Sequence, residues 1–180
     1  MKKALIIVDY NNDFVADNGT LTCGKPGQAI DDNIARVVTE FSESGDFIFN
    51  ACDNHTENDE YHPEKIFPAH CICGTLGREL YGNTLKAVNK VNPKQLIQIE
   101  KYKLSSFAGT NLDVKLRERN IKDIYLVGVC SDICVLHTAI DAYNLGYNIY
   151  IYENGIASFN AEGHAFALSH FKNVLGATIL

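Results

Sequence analysis

Short apolar runs recur along this chain at wide intervals. They are Leu5–Val8, Phe47–Ala51, Leu96–Ile99, Ile124–Val129 and Tyr147–Tyr152. A short, continuous apolar run is typical of a strand that is buried on both faces of a parallel sheet. The runs therefore predict a mainly parallel sheet that is covered on both sides.

Helical patterns lie between these runs. Apolar residues from Ile30 to Phe41 repeat at intervals of three and four, and the segments 133–144 and 161–173 have the same period. Thr110 followed by Asp113 resembles a capping box, which predicts a helix over 111–119. Strands that alternate with helices predict an α/β fold, a three-layer α/β/α sandwich with a mainly parallel central sheet. The segment 177–180 could add a final edge strand.

Length and charge limit the class of protein. The 180 residues suit one domain, 1–180, with a sizeable core. The chain has 16 basic and 22 acidic residues, a net charge of −6, which argues against a nucleic-acid or anionic-membrane partner because such binding needs clustered Lys and Arg. No stretch resembles an export signal or reaches the length of a membrane span. We therefore expect a cytoplasmic protein whose cysteines are thiols.

Chemically active side chains follow four of the predicted strands. Asp9, Asp53, Lys101 and Cys130 each lie just after an apolar run. Because the carboxyl ends of parallel strands meet at one edge of the sheet, where open α/β sheets bind ligands, we expect these side chains to converge there. The long segment 53–77 begins at the same edge and is dense in His, Asp, Glu and Cys. A loop of this length in a compact domain is usually functional or disordered, and its composition favours function.

Two cysteines lie four residues apart in the sequence GVCSDICVLHTAIDA. Ser131 or Asp132 can cap the helix that follows, which puts Cys134 in the first turn, where free N–H groups and the helix dipole favour a thiolate. A thiolate is the form that attacks a carbonyl carbon. The residues alone leave open that Cys134 is a packing residue, or that it pairs with Cys130 in a disulfide, which a reducing compartment disfavours.

The loop after the second run is rich in metal-ligating residue types. They are Asp53, His55, Glu64 and His70, with His62 and Cys71 as competitors. Two imidazoles and two carboxylates suit Zn²⁺, Mn²⁺ or Fe²⁺. Solvated loop side chains are the alternative, so the residues by themselves leave the metal site open.

Four separated segments resemble one family. GVCSDICVLHTAIDA is similar to the nucleophile segment of the isochorismatase-like cysteine hydrolases, G-V-x-[ST]-D-x-C-V-x-x-T-A-x-D-A. LIIVDYNNDF, CDNH with HPEKIFPAHCICGT, and KYKLSSFAGTNL occur in the order seen in the nicotinamidases of that superfamily. The resemblance covers nearly the whole chain. It implies hydrolysis of nicotinamide to nicotinate and ammonia in NAD salvage, with pyrazinamide as a further substrate.

The resemblance also implies the roles of the strand-end residues. Cys134 would be the nucleophile, and the backbone N–H groups of Cys130 and Cys134 would form the oxyanion hole, with a cis peptide bond entering Cys130. Asp9, the first aspartate of D-x-x-x-D-F, would be the general base. Alternation along an extended segment cannot separate Lys101 from Lys103, but Lys101 fits the family pattern K-x-x-x-S-x-F. A cation beside Cys134 would lower the pKa of its thiol.

A single divalent metal ion is implied as well, with zinc favoured over manganese or iron. Asp53, His55 and His70 match the ligand pattern of the nicotinamidases. The HPE segment indicates Glu64 rather than His62 as the fourth ligand. The expected substrate pocket is lined by Phe14, Leu21, Phe67, Leu104 and Val129, although many relatives have an aromatic residue where Leu104 stands.

Three rival functions remain. Another amidohydrolase of the superfamily, acting on a carbamoyl or ureido amide, would leave the metal ligands idle. A catalytically silent metal- or ligand-binding domain would not need Asp9, Lys101 and Cys134 together. A thiol redox protein would form a reversible Cys130–Cys134 disulfide. Apart from a small-molecule amide, the expected partner is a second copy of the chain in a homo-oligomer.

Overall fold

The computed structural model describes residues 2–58 and 67–180. Its strands are β1 (Ala4–Val8), β2 (Phe47–Asp53), β3 (Leu96–Lys101), β4 (Asp123–Val129), β5 (Asn148–Ala157) and β6 (Thr178–Ile179). They form one sheet in the order β3-β2-β1-β4-β5-β6, and every neighbouring pair is parallel. The predicted parallel sheet is confirmed, and the edge strand near residue 180 is present.

Helices cover both faces of the sheet. They are α1 (Asn12–Val15), α2 (Lys25–Ala29), α3 (Asp31–Glu43), α4 (Gly82–Val88), α5 (Leu112–Arg117), α6 (Cys134–Asn144) and α7 (Ala161–Asn173), with a 3₁₀ turn at Leu76–Arg78. Side chains alternate along β1, so that Leu5 and Ile7 pack in the core with α3, and Ile6 and Val8 in the core with α5 and α6. The three-layer α/β/α fold is thereby confirmed. No helix within 2–58 or 67–180 has the length and apolar composition needed to cross a bilayer.

Helix α5 begins without the predicted capping box. The Thr110 hydroxyl accepts a hydrogen bond from the N–H of Leu112 at 3.1 Å, but no side chain caps the helix. The Asp113 carboxylate accepts instead from the side chains of Arg117, at 2.9 Å, and Tyr147, at 2.7 Å. The capping-box prediction is wrong because Asp113 has these stronger partners.

The chain reverses direction across the sheet between β1 and β4. It runs outward from β1 to β3 and then crosses back to β4 on the other side of β1, which creates the type of switch point where open α/β sheets bind ligands. Gly128 allows the two strands to come close, because it has a φ of 120° and a Cβ there would lie 2.0 Å from the carbonyl oxygen of Val8. Asp9 and Cys130, which follow β1 and β4, both lie at this point.

Candidate active site

A buried ion-pair network joins the ends of three strands. Nζ of Lys101 lies 2.7 Å from Oδ2 of Asp9 and also contacts Oδ1 of Asp53. The Lys101 side chain is fully buried, so both carboxylates offset the cost of removing its charge from water. Asp9, whose φ is 50°, also accepts the N–H of Asp53 at 2.9 Å, and Asp9 and Cys134 lie close enough to shift each other's pKa. The structure therefore brings Asp9, Lys101 and Cys134 together.

Only one of the two competing lysines joins this network. Strand β3 ends at Lys101, and the chain bends after it. Lys103 is exposed and lies at the edge of the neighbouring cleft. The extended segment assumed from the sequence ends at Lys101, because strand β3 does not continue as far as Lys103.

The charges of this network fix the protonation of its members. Burial and the Asp53 carboxylate raise the pKa of Asp9 to about 6, against the opposite effect of Lys101. Burial and the Asp9 carboxylate raise the pKa of the Cys134 thiol, and Lys101 offsets only part of this. Burial disfavours the Lys101 cation, but the carboxylates of Asp9 and Asp53 outweigh it and raise the pKa of Lys101.

Lys101 does lower the pKa of the Cys134 thiol, as expected, but burial and the Asp9 carboxylate outweigh it and the net shift is upward. One ammonium faces two carboxylates beside Cys134, and the site is shielded from water, so a third negative charge is disfavoured. The shift favours the neutral thiol over the thiolate. A thiol of this kind needs a nearby base to take its proton before it can attack a carbonyl carbon.

Helix α6 begins at Cys134 itself. Ile133 holds the N-cap position and no side chain caps the helix, so the predicted cap by Ser131 or Asp132 is wrong. These two side chains face helix α7 instead, since Ser131 is hydrogen-bonded to His164 at 2.9 Å and Asp132 lies against the first turn of α7.

Two backbone donors flank the sulfur. The peptide bond between Val129 and Cys130 is cis, as the family resemblance implied. Within the described residues, the N–H groups of Cys130 and Cys134 donate no hydrogen bond to another protein group. Both are therefore available to an oxyanion that forms beside the sulfur of Cys134.

Three of the four predicted metal ligands converge next to this network. Ligand atoms of Asp53, His55 and His70 all lie within 4.8 Å of one another, and all three residues are buried. Nε2 of His55 and Nε2 of His70 lie 3.7 and 3.6 Å from Oδ2 of Asp53. Ligand atoms about 2.1 Å from a tetrahedral zinc ion stand roughly 3.4 Å apart, so these residues fit a divalent cation. Glu64 and its competitor His62 lie outside the described residues.

The protonation of this cluster also suits a cation. Burial alone would raise the pKa of Asp53, but Lys101, His55 and His70 together lower it, so the carboxylate is ionised. Nδ1 of His70 lies 2.8 Å from the carbonyl oxygen of Pro68, and because a carbonyl can only accept, Nδ1 carries the hydrogen. Such an outer hydrogen bond fixes the tautomer of a histidine in which the opposite nitrogen can coordinate a metal.

A cleft of about 390 Å³ opens onto the sulfur. Its lining contains Asp9, Asp53, His70 and Cys134. All five residues that were predicted to form the pocket also line it: Phe14, Leu21, Phe67, Leu104 and Val129. Cys134, Asp9, two of the candidate metal ligands and an apolar wall thus share one cavity, which is large enough for a small aromatic amide.

Sequence reasoning missed part of the lining, namely Thr20, Thr22, Lys103, Ile133 and Phe159. Phe159 is the largest of these and its side chain is 62% exposed. It follows strand β5, which continues to Ala157 rather than ending at Tyr152 as the apolar run suggested. A correct end for this strand would have placed Phe159 at the ligand-binding edge.

Comparisons with known proteins agree on a family. The isochorismatase domain matches residues 3–180. The crystal structure of nicotinamidase/pyrazinamidase PncA from Bacillus subtilis is 52% identical, covers 99% of each chain and has a TM-score of 0.97. The pyrazinamidase of Pyrococcus horikoshii in complex with zinc is 28% identical, over 100% of this chain and 99% of its own, with a TM-score of 0.85.

A relative with a different substrate also matches. N-carbamoylsarcosine amidase from Thermoplasma acidophilum is 30% identical, over 99% of this chain and 95% of its own, with a TM-score of 0.84. The family match spans all six strands and every residue of the buried network. The chain belongs to the isochorismatase family.

Proposed function

We propose that this chain, as one domain over residues 1–180, is a nicotinamidase that hydrolyses nicotinamide to nicotinate and ammonia through a cysteine thioester. The observation that carries the proposal is that Cys134, Asp9 and the metal-ligating residues Asp53 and His70 line the same cleft. An aromatic amide in this cleft can present its carboxamide to the sulfur while its ring nitrogen faces the metal ligands. The greater identity to the Bacillus subtilis PncA than to the carbamoylsarcosine amidase supports nicotinamide as the substrate.

The reaction begins with the transfer of a proton from Cys134 to Asp9. The sulfur attacks the carboxamide carbon, and the N–H groups of Cys130 and Cys134 bind the oxyanion. Asp9 then gives its proton to the leaving nitrogen, so that ammonia departs and a thioester remains. Asp9 next takes a proton from water, whose oxygen attacks the thioester. The C–S bond breaks, Asp9 returns the proton to the sulfur, and the carboxylic acid leaves and ionises to nicotinate. Lys101 keeps its charge throughout and balances the two carboxylates.

Asp53, His55 and His70 would hold the metal ion, with Glu64 as the proposed fourth ligand. When bound, a divalent ion supplies a Lewis-acid site for the pyridine nitrogen, which orients the ring. Zinc is the proposed ion, since two imidazoles with two carboxylates form a common zinc ligand set. The proposed setting is the cytoplasm, where the six free thiols would persist.

Ammonia release from nicotinamide tests the proposal, with enzyme that has been stripped of metal and then reloaded with zinc. We expect release from the reloaded enzyme, and about 100-fold slower release without metal, because a poorly oriented ring loses roughly that factor. Pyrazinamide should behave in the same way. No release from the zinc-loaded enzyme, together with release from a carbamoyl or ureido amide, would contradict the proposal and favour the rival amidohydrolase.

Removing the proposed fourth ligand should weaken metal binding. We expect Glu64→Ala to lower the affinity for zinc by about 100-fold or more, since even the loss of a group that only supports a ligand costs about 10- to 100-fold. Competition with a zinc-binding dye measures the affinity, and Glu57→Ala, an exposed carboxylate of the same loop, is the control. Unchanged affinity in Glu64→Ala would assign the fourth position to His62 or Cys71.

Phe159 should contribute to binding of the substrate ring. We expect Phe159→Ala to raise KM for nicotinamide by about 2- to 12-fold with little change in kcat, because an aromatic contact contributes about 0.5–1.5 kcal/mol. Phe166→Ala is a matched control, since Phe166 is 59% exposed and does not line the cleft. Equal KM values for the two variants would show that Phe159 does not contact the ring.

A further inference from the structure

Helix α7 and the segment before it contact the turn from Cys130 to Cys134, called here the nucleophile turn. Its two end residues carry the proposed oxyanion donors. The Ser131 N–H donates to the carbonyl oxygen of Ala157 at 2.8 Å, just before α7. The Ser131 hydroxyl is hydrogen-bonded to Nδ1 of His164 at 2.9 Å, and Ser131 is fully buried. Both contacts tie the turn after β4 to the connection between β5 and α7.

Asp132, the next residue of the turn, makes a second contact with the first turn of helix α7. A Cβ at Gly163 would lie 1.9 Å from Oδ2 of Asp132, so residue 163 must lack a side chain if Asp132 is to keep its position. The N–H of Gly163 is bound by the side chain of Asn160 at 3.1 Å, which fixes the first turn of α7. A carboxylate at this end of a helix is favoured by the helix dipole.

We propose that His164 and Gly163 are positioning residues for the nucleophile turn, an inference that rests on the proposed function. Ser131 and Asp132 lie between Cys130 and Cys134, whose N–H groups form the proposed oxyanion hole. Through these two residues, α7 fixes the distance and direction between the donors, although His164 itself does not line the cleft.

A displaced turn should affect the chemical step more than the binding of the substrate. The ring would be held by the apolar walls and by the metal ligands, none of which α7 contributes. The oxyanion donors, in contrast, act only if both point at the carboxamide oxygen, and a small misplacement is costly. Loss of the Ser131–His164 contact should therefore lower kcat and leave KM nearly unchanged.

The test compares three histidine variants in zinc-loaded enzyme. We expect His164→Ala to lower kcat about 10- to 100-fold with KM within twofold of the wild-type value. His164→Asn should restore kcat to within about threefold, because the amide is as many bonds from Cα as Nδ1 of histidine and can bind Ser131. His170→Ala makes the same change in the last turn of α7 and should have no effect on kcat.

A glycine variant and a second readout separate positioning from stability. Alanine is the better helix former, so Gly163→Ala would leave kcat unchanged if residue 163 served only the helix; we expect kcat to fall at least tenfold. The rate at which iodoacetamide alkylates Cys134, followed by peptide mass spectrometry, should fall in His164→Ala and Gly163→Ala. This rate does not require nicotinamide turnover, so it tests the turn even if the proposed function fails.

The kcat values and alkylation rates of these variants distinguish three outcomes. A lower kcat and slower alkylation in His164→Ala, with recovery in His164→Asn, support the proposal. Wild-type kcat and alkylation in both His164→Ala and Gly163→Ala would overturn it. A loss of kcat that His164→Asn does not restore, with a matching loss of thermal stability, would assign His164 a general structural role and also overturn the proposal.

Discussion

Replacing Cys134 by alanine is expected to lower kcat for nicotinamide by about four orders of magnitude or more, because loss of a catalytic nucleophile removes the covalent route entirely. Binding of substrate and metal should remain, since the side chain of Cys134 holds neither the ring nor the ion. The check is ammonia release under saturating nicotinamide, together with zinc content and nicotinate affinity of the variant.

Cys130→Ala is the matched comparison. Its proposed contribution is the backbone N–H, which alanine retains, so we expect kcat to stay within about tenfold of the wild-type value. Cys73→Ala, the loss of an exposed thiol in the metal loop, controls for the cysteine change itself. Substantial turnover by Cys134→Ala, or an equal loss in Cys130→Ala, would contradict the assignment of Cys134 as nucleophile.

The meeting of the strand-end residues could be predicted from the sequence for a simple reason. A sheet buried on both faces produces continuous apolar runs, and a parallel sheet has one edge at which all its strands end. Asp9, Asp53 and Lys101 therefore had to lie near one another once the runs were recognised. The same rule would have included Phe159, had the end of β5 been located correctly.

Other features depend on contacts that are distant in the sequence. The Asp31 carboxylate accepts hydrogen bonds from the N–H groups of Asn83, at 2.6 Å, and Thr84, at 2.9 Å, and so caps helix α4 from the first residue of α3. Nothing near residue 82 signals this cap. The short helices α1, α2 and α4 contain too few turns to show an apolar repeat, and the sequence did not predict them.

The direction of the pKa shift at Cys134 could not be predicted from the sequence either. A lysine near Cys134 suggested a lowered thiol pKa, but the sign depends on how many charges of each kind are buried with the sulfur. Burial of the sulfur, together with the carboxylates of Asp9 and Asp53 beside the single ammonium of Lys101, makes the net shift upward. The number and placement of the buried charges therefore decide whether the resting cysteine is a thiolate or a thiol that needs a base.

Asp9→Asn is expected to produce the second largest loss, about 10²- to 10⁴-fold in kcat/KM, because the amide cannot take the proton of Cys134. The wild-type enzyme needs Asp9 ionised, and the pKa of Asp9 is raised to about 6. As pH falls below that value, the protonated fraction grows, and kcat/KM should fall tenfold per pH unit. A cation bound to Asp53 would weaken the repulsion that raises this pKa, so in zinc-loaded enzyme the decline should begin at a lower pH than 6.

The test is the profile of kcat/KM against pH, measured for the wild-type enzyme and for Asp9→Asn. The acid decline of the wild-type enzyme should disappear in Asp9→Asn, since residue 9 no longer titrates. Asp17→Asn, the same change at a carboxylate whose side chain is 81% exposed, should keep both the rate and the decline. A decline at the same pH in Asp9→Asn would mean that another group accepts the proton. Because Asp9 is the carboxylate with the largest effect on the pKa of the Cys134 thiol, that result would require a different base in the mechanism, even if Cys134 were still the nucleophile.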